Sequence, residues 1–221
     1  MNARTLTMST LCVIASTAGL AGAAVLPYNA DFNTGTAAGS AWSDTTISST
    51  PSGERYLGQF GAGTITLDLG AQPAGPITLS FDFYAIQSLD GNGPAGNGID
   101  DFDFSANGTS LFRTNFDNFG TSGQAYPDAS GVGNNAPGAG ATATNSLGFT
   151  FPGSQLGDAT YRITLNYLHT GGNLAFGFQS LQGQDVGDEG WGLDNVSVIP
   201  APAAAALLSV GGLLSLRRRS R

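Results

Sequence analysis

The chain has 221 residues, of which 41% are hydrophobic and 11% are charged. This suffices for one β-type domain and is short for two. All sixteen acidic residues lie between Asp31 and Asp194, where only three arginines accompany them, so this part has a net charge of −13. Because it lacks a basic patch, it does not fit a protein that binds nucleic acid or anionic membranes. Divalent cations and neutral ligands remain compatible with it.

Residues 1–24 are predicted to be a secretory signal peptide, which signal peptidase removes. Arg4 supplies the positive charge, residues 11–20 form a short apolar stretch, and Ala21-Gly22-Ala23 fits the small-x-small cleavage pattern. The stretch is too short for a permanent membrane anchor. Cys12 is the only cysteine and would leave with the peptide. The mature chain would then have no thiol for a disulfide, a zinc-thiolate site or a nucleophile.

The C-terminal residues 200–221 predict a second targeting segment. Residues 203–216 carry no charge, and four of the last five residues are arginine. As a helix, the uncharged stretch would span about 21 Å, which is short of a hydrocarbon core of about 30 Å. The arginines should stay cytoplasmic, so residues 25–199 would lie outside the inner membrane.

This segment resembles the PEP-CTERM sorting signal of bacterial exported proteins. That signal combines a Pro-Glu-Pro-like motif, a short transmembrane helix and a basic cluster, and the motif stands here as Pro200, Ala201 and Pro202. Ala201 replaces the glutamate of the strict pattern. The resemblance implies a transient membrane anchor that an exosortase processes, followed by transfer to the cell surface or the exopolysaccharide matrix.

Residues 25–199 are predicted to form an all-β domain, an antiparallel β-sandwich of the jelly-roll type. Apolar and polar residues alternate with period two in several short segments, which indicates eight to ten strands. Gly171-Gly172 predicts a hairpin between residues 161–169 and 173–181. The region from Gly120 to Ser146 is poor in apolar residues and is either a surface loop or a loop that covers a ligand. The alternating apolar positions are Ile65, Leu67, Leu69; Ile77, Leu79, Phe81, Phe83; Phe102, Phe104; Tyr161, Ile163, Leu165, Tyr167; Leu174, Phe176, Phe178; and Val196, Val198.

Two segments of this domain resemble an uncharacterised extracellular β-module of surface proteins that often carry PEP-CTERM tails. The first is Asp90-Gly91-Asn92-Gly93-Pro94, and the second runs from Asp188 to Val196 and includes Trp-Gly-Leu-Asp-Asn-Val. The ending Leu-Asp-Asn-Val is also similar to the last strand of many carbohydrate-binding jelly rolls. These resemblances imply a fold more than an activity.

An oxygen-rich segment is a candidate calcium site, because calcium takes six to eight oxygen ligands. The spacing is not that of an EF-hand, since Pro94 and Ala95 stand where a ligand and a glycine are needed. Alternation along the strand places Asp101 and Asp103 on the solvent face, so a plain acidic loop is the alternative interpretation. A second candidate joins the first and last strands through Asp194 with Asp31 or Asp188. The predicted metal ligands are Asp90, Asn92, Asp100, Asp101 and Asp194.

No catalytic residue is assigned. The only glutamates, Glu54 and Glu189, have no evident reason to meet, and the neighbours Asp188 and Glu189 would face opposite ways in a strand. His169 is the only histidine, and no Gly-x-Ser-x-Gly elbow accompanies it.

Three aromatic residues in polar surroundings, Trp42, Tyr126 and Trp191, are candidates for a platform that stacks on sugar rings. Trp191 opens the last strand and is alternatively a core residue. The sequence therefore predicts a non-enzymatic, exported surface or matrix protein that binds surface polysaccharide or is structural. It needs no cofactor, apart from the structural calcium that the acidic segment suggests. The alternative is an extracellular hydrolase or lyase that acts on polysaccharide.

Overall fold

The computed structural model describes residues 26–34, 39, 41–93 and 100–201. The predicted signal peptide and the predicted tail from Pro202 onwards lie outside the described residues. No helix within the described ranges is long and apolar enough to cross a bilayer. The elements are β1 (Tyr28–Ala30), a 3₁₀ turn (Phe32–Thr34), β2 (Ile47–Ser49), β3 (Arg55–Phe60), β4 (Gly63–Gln72), β5 (Gly75–Gln87), β6 (Asp101–Ala106), β7 (Thr109–Asn115), β8 (Ala143–Thr144), β9 (Asp158–His169), β10 (Gly172–Ser180) and β11 (Glu189–Pro200).

The strands form two antiparallel sheets. Sheet A has the order β2-β3-β11-β5-β9-β8, with β1 also paired to β11, and sheet B has the order β4-β10-β6-β7. Among the eight longest strands, every connection except β6–β7 crosses from one sheet to the other, and the first of them pairs with the last. This is the connectivity of a jelly roll. The prediction of an antiparallel β-sandwich is therefore confirmed.

The core lies between the sheets and is largely aromatic. The period-two alternation directs Phe81 and Phe83 of β5 inward, where the ring of Phe83 lies 4.8 Å from that of Phe102 in β6. Phe178 of β10 packs edge-on against Phe81 at 5.1 Å. Because successive side chains of a strand point to opposite faces, one apolar residue in two is enough to fill this layer.

The predicted hairpin at Gly171-Gly172 is wrong. β9 pairs with β5 and β8 in sheet A, whereas β10 pairs with β4 and β6 in sheet B, so the two glycines carry the chain across the edge of the sandwich. A two-residue hairpin instead joins β6 to β7 at Asn107-Gly108, where both φ angles are positive (47° and 75°). Asn-Gly is a strong local signal for this turn.

The region from Gly120 to Ser146 is a surface segment, as one of the two expectations had it, and it packs onto the domain's own core through a few residues. Gln124 is fully buried, and its Oε1 accepts hydrogen bonds from the backbone N–H of Asp117 and the hydroxyl of Tyr161. Tyr126 packs against the rings of Phe116 and Tyr161 at 5.3 and 5.0 Å. The buried amide of Gln124 and the ring of Tyr126 thus attach this region to the core.

The aromatic layer gives a direct test of the fold. Phe83 is fully buried and contacts four other rings, so we expect Phe83→Ala to lower the free energy of unfolding by about 3–5 kcal/mol. Leu168→Ala, at a position in β9 that is 72% exposed, should stay within about 0.5 kcal/mol of the wild type. Urea unfolding measures both changes, and similar losses in the two variants would contradict this core.

Candidate functional site

Three carboxyl groups from distant parts of the sequence meet at one end of the sandwich. They belong to Asp90, Asp100 and Glu189, and one oxygen from each lies within 4.8 Å of the other two. Asp100 and Glu189 have no exposed surface, and Asp90 is 9% exposed. We call this set the carboxyl triad.

The pairing of the strands brings the triad together. Glu189 begins β11 opposite Gln87 at the end of β5, and Asp90 follows that end by three residues. Asp100 immediately precedes β6, the next strand along the chain. The connection from β5 to β6 and the start of β11 therefore share one end of the sandwich.

The triad has few hydrogen-bond donors. Asp100 Oδ2 accepts the backbone N–H of Asp90, and Glu189 Oε1 accepts the amide of Gln184. The second oxygen of each carboxyl, Asp100 Oδ1 and Glu189 Oε2, is buried without a donor. Such a group needs a proton, a cation or water to offset the cost of its burial.

Burial raises the pKa of both Asp100 and Glu189 well above the usual range for carboxyl groups. The negative charge of Asp90 raises both pKa values further, while the hydrogen bonds from the Asp90 backbone and from Gln184 lower them. When one of the two carboxyls is protonated, it can donate to the other. In the absence of a cation, the triad therefore holds protons that free carboxyls would release.

A recess of about 250 Å³ opens beside the triad. Its walls include the half-buried rings of Phe119 and Phe151. The Ser88 hydroxyl, also in the lining, donates to the Asp188 carboxylate at 2.5 Å. We call this the loop-end recess, and its lining residues are Ser88, Asp90, Phe119, Phe151, Gln184 and Asp188.

The structure brings together only Asp90 and Asp100 of the five predicted metal ligands. Asn92 is occupied by Asn115 and Gly133, with which it forms hydrogen bonds of 2.9 and 3.2 Å. Asp101 is buried and forms an ion pair with Arg113 at 2.6 Å. The expectation that Asp101 faces solvent is therefore wrong, because Arg113 and Ser130 cover that face of β6.

Asp194 lies away from the triad and holds the N-terminal segment. Its Oδ1 accepts the backbone N–H of Phe32 at 3.3 Å, and its Oδ2 accepts the hydroxyl of Tyr84 at 3.2 Å. The predicted partner Asp31 is exposed, and the other, Asp188, lies six residues before Asp194 and lines the loop-end recess. Hydrogen bonds of Asp194 therefore hold the N-terminal segment at the position where the sequence suggested a second calcium site.

The predicted aromatic platform is wrong. Trp191 is buried among Phe60, Phe83 and Phe102, and its indole N–H donates to the carbonyl of Gly61 at 2.7 Å. Trp42 is 5% exposed and donates to the Tyr28 hydroxyl. Tyr126 packs on the core, as described above. Long-range packing buries Trp42 and Trp191, which their polar sequence neighbours concealed, and leaves Tyr126 half-buried.

The structure places His169 and Glu54, the two other residues weighed for catalysis, outside the carboxyl triad. His169 is buried at the turn between β9 and β10, with Nε2 3.1 Å from the carbonyl of Gly172. Glu54 lies in the turn before β3 and is not a member of the triad.

From the sequence, Glu189 is a candidate only for a pair of catalytic carboxyls, and Phe119 and Phe151 are not singled out. The two phenylalanines lie in Asn-Phe-Gly and Phe-Pro-Gly segments without strand alternation. An aromatic residue in a turn is the sequence signal that could have indicated these two residues, because a turn residue is not buried by the inner face of a sheet.

No protein-family model matches the chain, and no curated protein matches it in sequence. Solved structures that resemble it include a family 35 carbohydrate-binding module from Clostridium thermocellum (16% identity, 72% of this chain and 86% of that chain, TM-score 0.32). The C-terminal family 6 module of the laminarinase LamC from Zobellia galactanivorans has 12% identity, coverage of 78% and 99%, and a TM-score of 0.37. A family 35 module from Paenibacillus barcinonensis has 14% identity, coverage of 77% and 97%, and a TM-score of 0.27. Likeness at this level carries no inference about what the chain binds.

The triad predicts an unusual dependence of stability on pH in cation-free buffer. Above about pH 4, the unfolded chain releases these protons, whereas the folded chain retains them because burial raises the two pKa values. The folded state then binds more protons, so the triad's contribution to the free energy of unfolding falls as the pH rises through neutrality. We expect Glu189→Gln to flatten this fall in urea unfolding with EDTA. Parallel pH profiles for the variant and the wild type would contradict it.

Proposed function

We propose that the chain is an exported, non-enzymatic surface protein whose β-sandwich binds polysaccharide at the loop-end recess. The observation that carries this proposal is that two half-buried phenylalanine rings line the same recess as acidic and amide side chains. Sugar rings present apolar C–H faces and hydroxyl groups together, and a recess of this composition matches both. About 250 Å³ is slightly below the roughly 300 Å³ at which ligand pockets begin, so the recess suits a single sugar unit of a chain.

A non-enzymatic role is supported by the burial of the carboxyl groups. Hydrolysis of a glycosidic bond needs an acid and a base or nucleophile that both reach the bond. Asp100 and Glu189 have no exposed surface, and the Gln184 amide is hydrogen-bonded to Glu189. The alternative of a hydrolase or lyase is favoured only by the proximity and raised pKa values of these two groups.

A groove with a larger volume than the loop-end recess is a weaker candidate for a sugar site. It has a volume of about 400 Å³ and lies at the other end of β5, between Pro73, Pro76 and Pro200. No charged residue lines it. Gln72 is the one polar side chain in its lining, so it offers fewer groups to orient a sugar than the loop-end recess does.

A glycan array with the full chain, followed by titration of any polysaccharide that binds, tests the recess. Phe119→Ala and Phe151→Ala should each weaken binding about three- to tenfold, since an aromatic contact contributes about 0.5–1.5 kcal/mol. Val132→Ala, at a position that is 81% exposed and outside the recess, is the matched control and should bind as the wild type does. Absence of any bound glycan, or equal binding by all variants, would contradict the proposal. Turnover of a polysaccharide that Glu189→Gln abolishes would establish the enzyme instead.

The proposal includes export through signal peptidase and an exosortase, with transient insertion of the tail in the inner membrane and final location at the cell surface or matrix. The structure describes Pro200 and Ala201 of the sorting motif. β11 extends to Pro200, and the backbone N–H of Ala201 donates to the carbonyl of Pro76 at 2.8 Å. A cut before these residues would remove part of a paired strand, so processing after Ala201 is the outcome that leaves sheet A intact.

Intact mass spectrometry of protein from the surface fraction of the native host tests this route. We expect a species that retains Pro200 and Ala201 and lacks Arg217–Arg219 and Arg221. A full-length chain retained in the inner membrane would indicate a simple C-terminal anchor. A product that ends before Pro200 would contradict the argument from the paired strand.

A further inference from the structure

Four buried carboxyl or amide oxygens of the described residues accept no hydrogen bond, and two of them belong to the carboxyl triad. Besides Asp100 Oδ1 and Glu189 Oε2, they include Gln182 Oε1 and Asn118 Oδ1. Gln182 is 5% exposed, and its amide donates to the backbone carbonyl of Glu189 at 2.7 Å. Asn118 is fully buried, and its backbone N–H donates to the carbonyl of Leu89, the residue before Asp90.

The unsatisfied atoms of the triad, Asp100 Oδ1 and Glu189 Oε2, are both acceptors, so the triad lacks positive charge or hydrogen-bond donors. No arginine forms an ion pair with the triad among the described residues. Buried polar groups in folded proteins are nearly always satisfied. Gln182, whose amide donates to the backbone carbonyl of Glu189, shows that the deficit of donors extends to a neutral side chain beside the triad.

We propose that a divalent cation, Ca²⁺, binds at Asp90, Asp100 and Glu189. Carboxylate and amide oxygens are the ligands that calcium prefers, and it takes them in flexible geometry. Asp188 and Ser88, in the adjoining recess, add further oxygens close to the same point. Shared protons between Asp100 and Glu189 are the competing account, because they would satisfy two of the four acceptors.

The cation would connect three segments that no ion pair joins within the part of the chain that the structure describes. These are the connection after β5, the start of β6 and the start of β11. Since Asp90 also lines the loop-end recess, bound Ca²⁺ would fix one wall of that recess. The cation site does not depend on glycan binding and can exist without it.

Calorimetric titration of the EDTA-treated full chain, purified in detergent, with CaCl₂ tests the site. We expect one equivalent of Ca²⁺ to bind. At a hundredfold excess over Kd, the melting temperature should rise by about 5–10 °C. No binding and no thermal shift would overturn the proposal and leave the shared protons as the explanation.

Substitutions locate the bound ion. Glu189→Gln and Asp100→Asn should abolish binding. With EDTA present at pH 9, where both carboxyls are charged, each should also raise the melting temperature, because it removes a buried negative charge from its neighbours. A residue with a merely structural role would lower it. Asp90→Asn, at the partly exposed member of the triad, serves as a third variant if the buried ones fail to fold, and it should weaken binding at least tenfold.

Asp194→Asn is the matched control, since Asp194 is also a fully buried carboxylate of β11. It should retain the binding of one Ca²⁺. Loss of binding in Asp194→Asn with retention in the triad variants would place the ion between the first and last strands and overturn the assignment.

Discussion

The antiparallel pairing of β11 with β5 is the interaction on which the rest of the structure depends. It runs from Glu189 opposite Gln87 to Pro200 opposite Ile77, and it places the last strand in the interior of sheet A. One strand therefore reaches from the carboxyl triad at one end of the sandwich to the base of the predicted sorting tail at the other.

Successive residues of β11 have different structural roles. Trp191 fills the core, and Gly192 has no side chain because a Cβ there would overlap the ring of Tyr56. Asp194 accepts hydrogen bonds from Phe32 and Tyr84. Asn195 adopts a positive φ of 49° where the pairing with β5 shifts register, and its amide donates to Asp82. The Trp-Gly-Leu-Asp-Asn-Val segment is thus accounted for by packing and hydrogen bonding at successive positions.

Buried carboxylates have three different roles in this acidic domain. Asp101 is neutralised by Arg113, and Asp158 accepts three backbone N–H groups of the segment before β9. The triad has neither arrangement and retains unsatisfied oxygens. A buried negative charge without a partner is costly. The domain therefore satisfies its acidic residues wherever they are structural, and the exception is the place where we propose a cation.

The sequence by itself determined the fold class, because the alternation of apolar and polar residues depends only on local strand geometry. It also indicated Asp90 and Asp100 as candidate ligands, since they are near each other along the chain. Glu189 joins them only through the register of β11 on β5, a contact between residues about one hundred positions apart. The burial of Trp42 and Trp191 and the crossing at Gly171-Gly172 likewise depend on which strands lie in which sheet. Such long-range pairing is settled by the packing of the whole core, and no short segment of the sequence contains it.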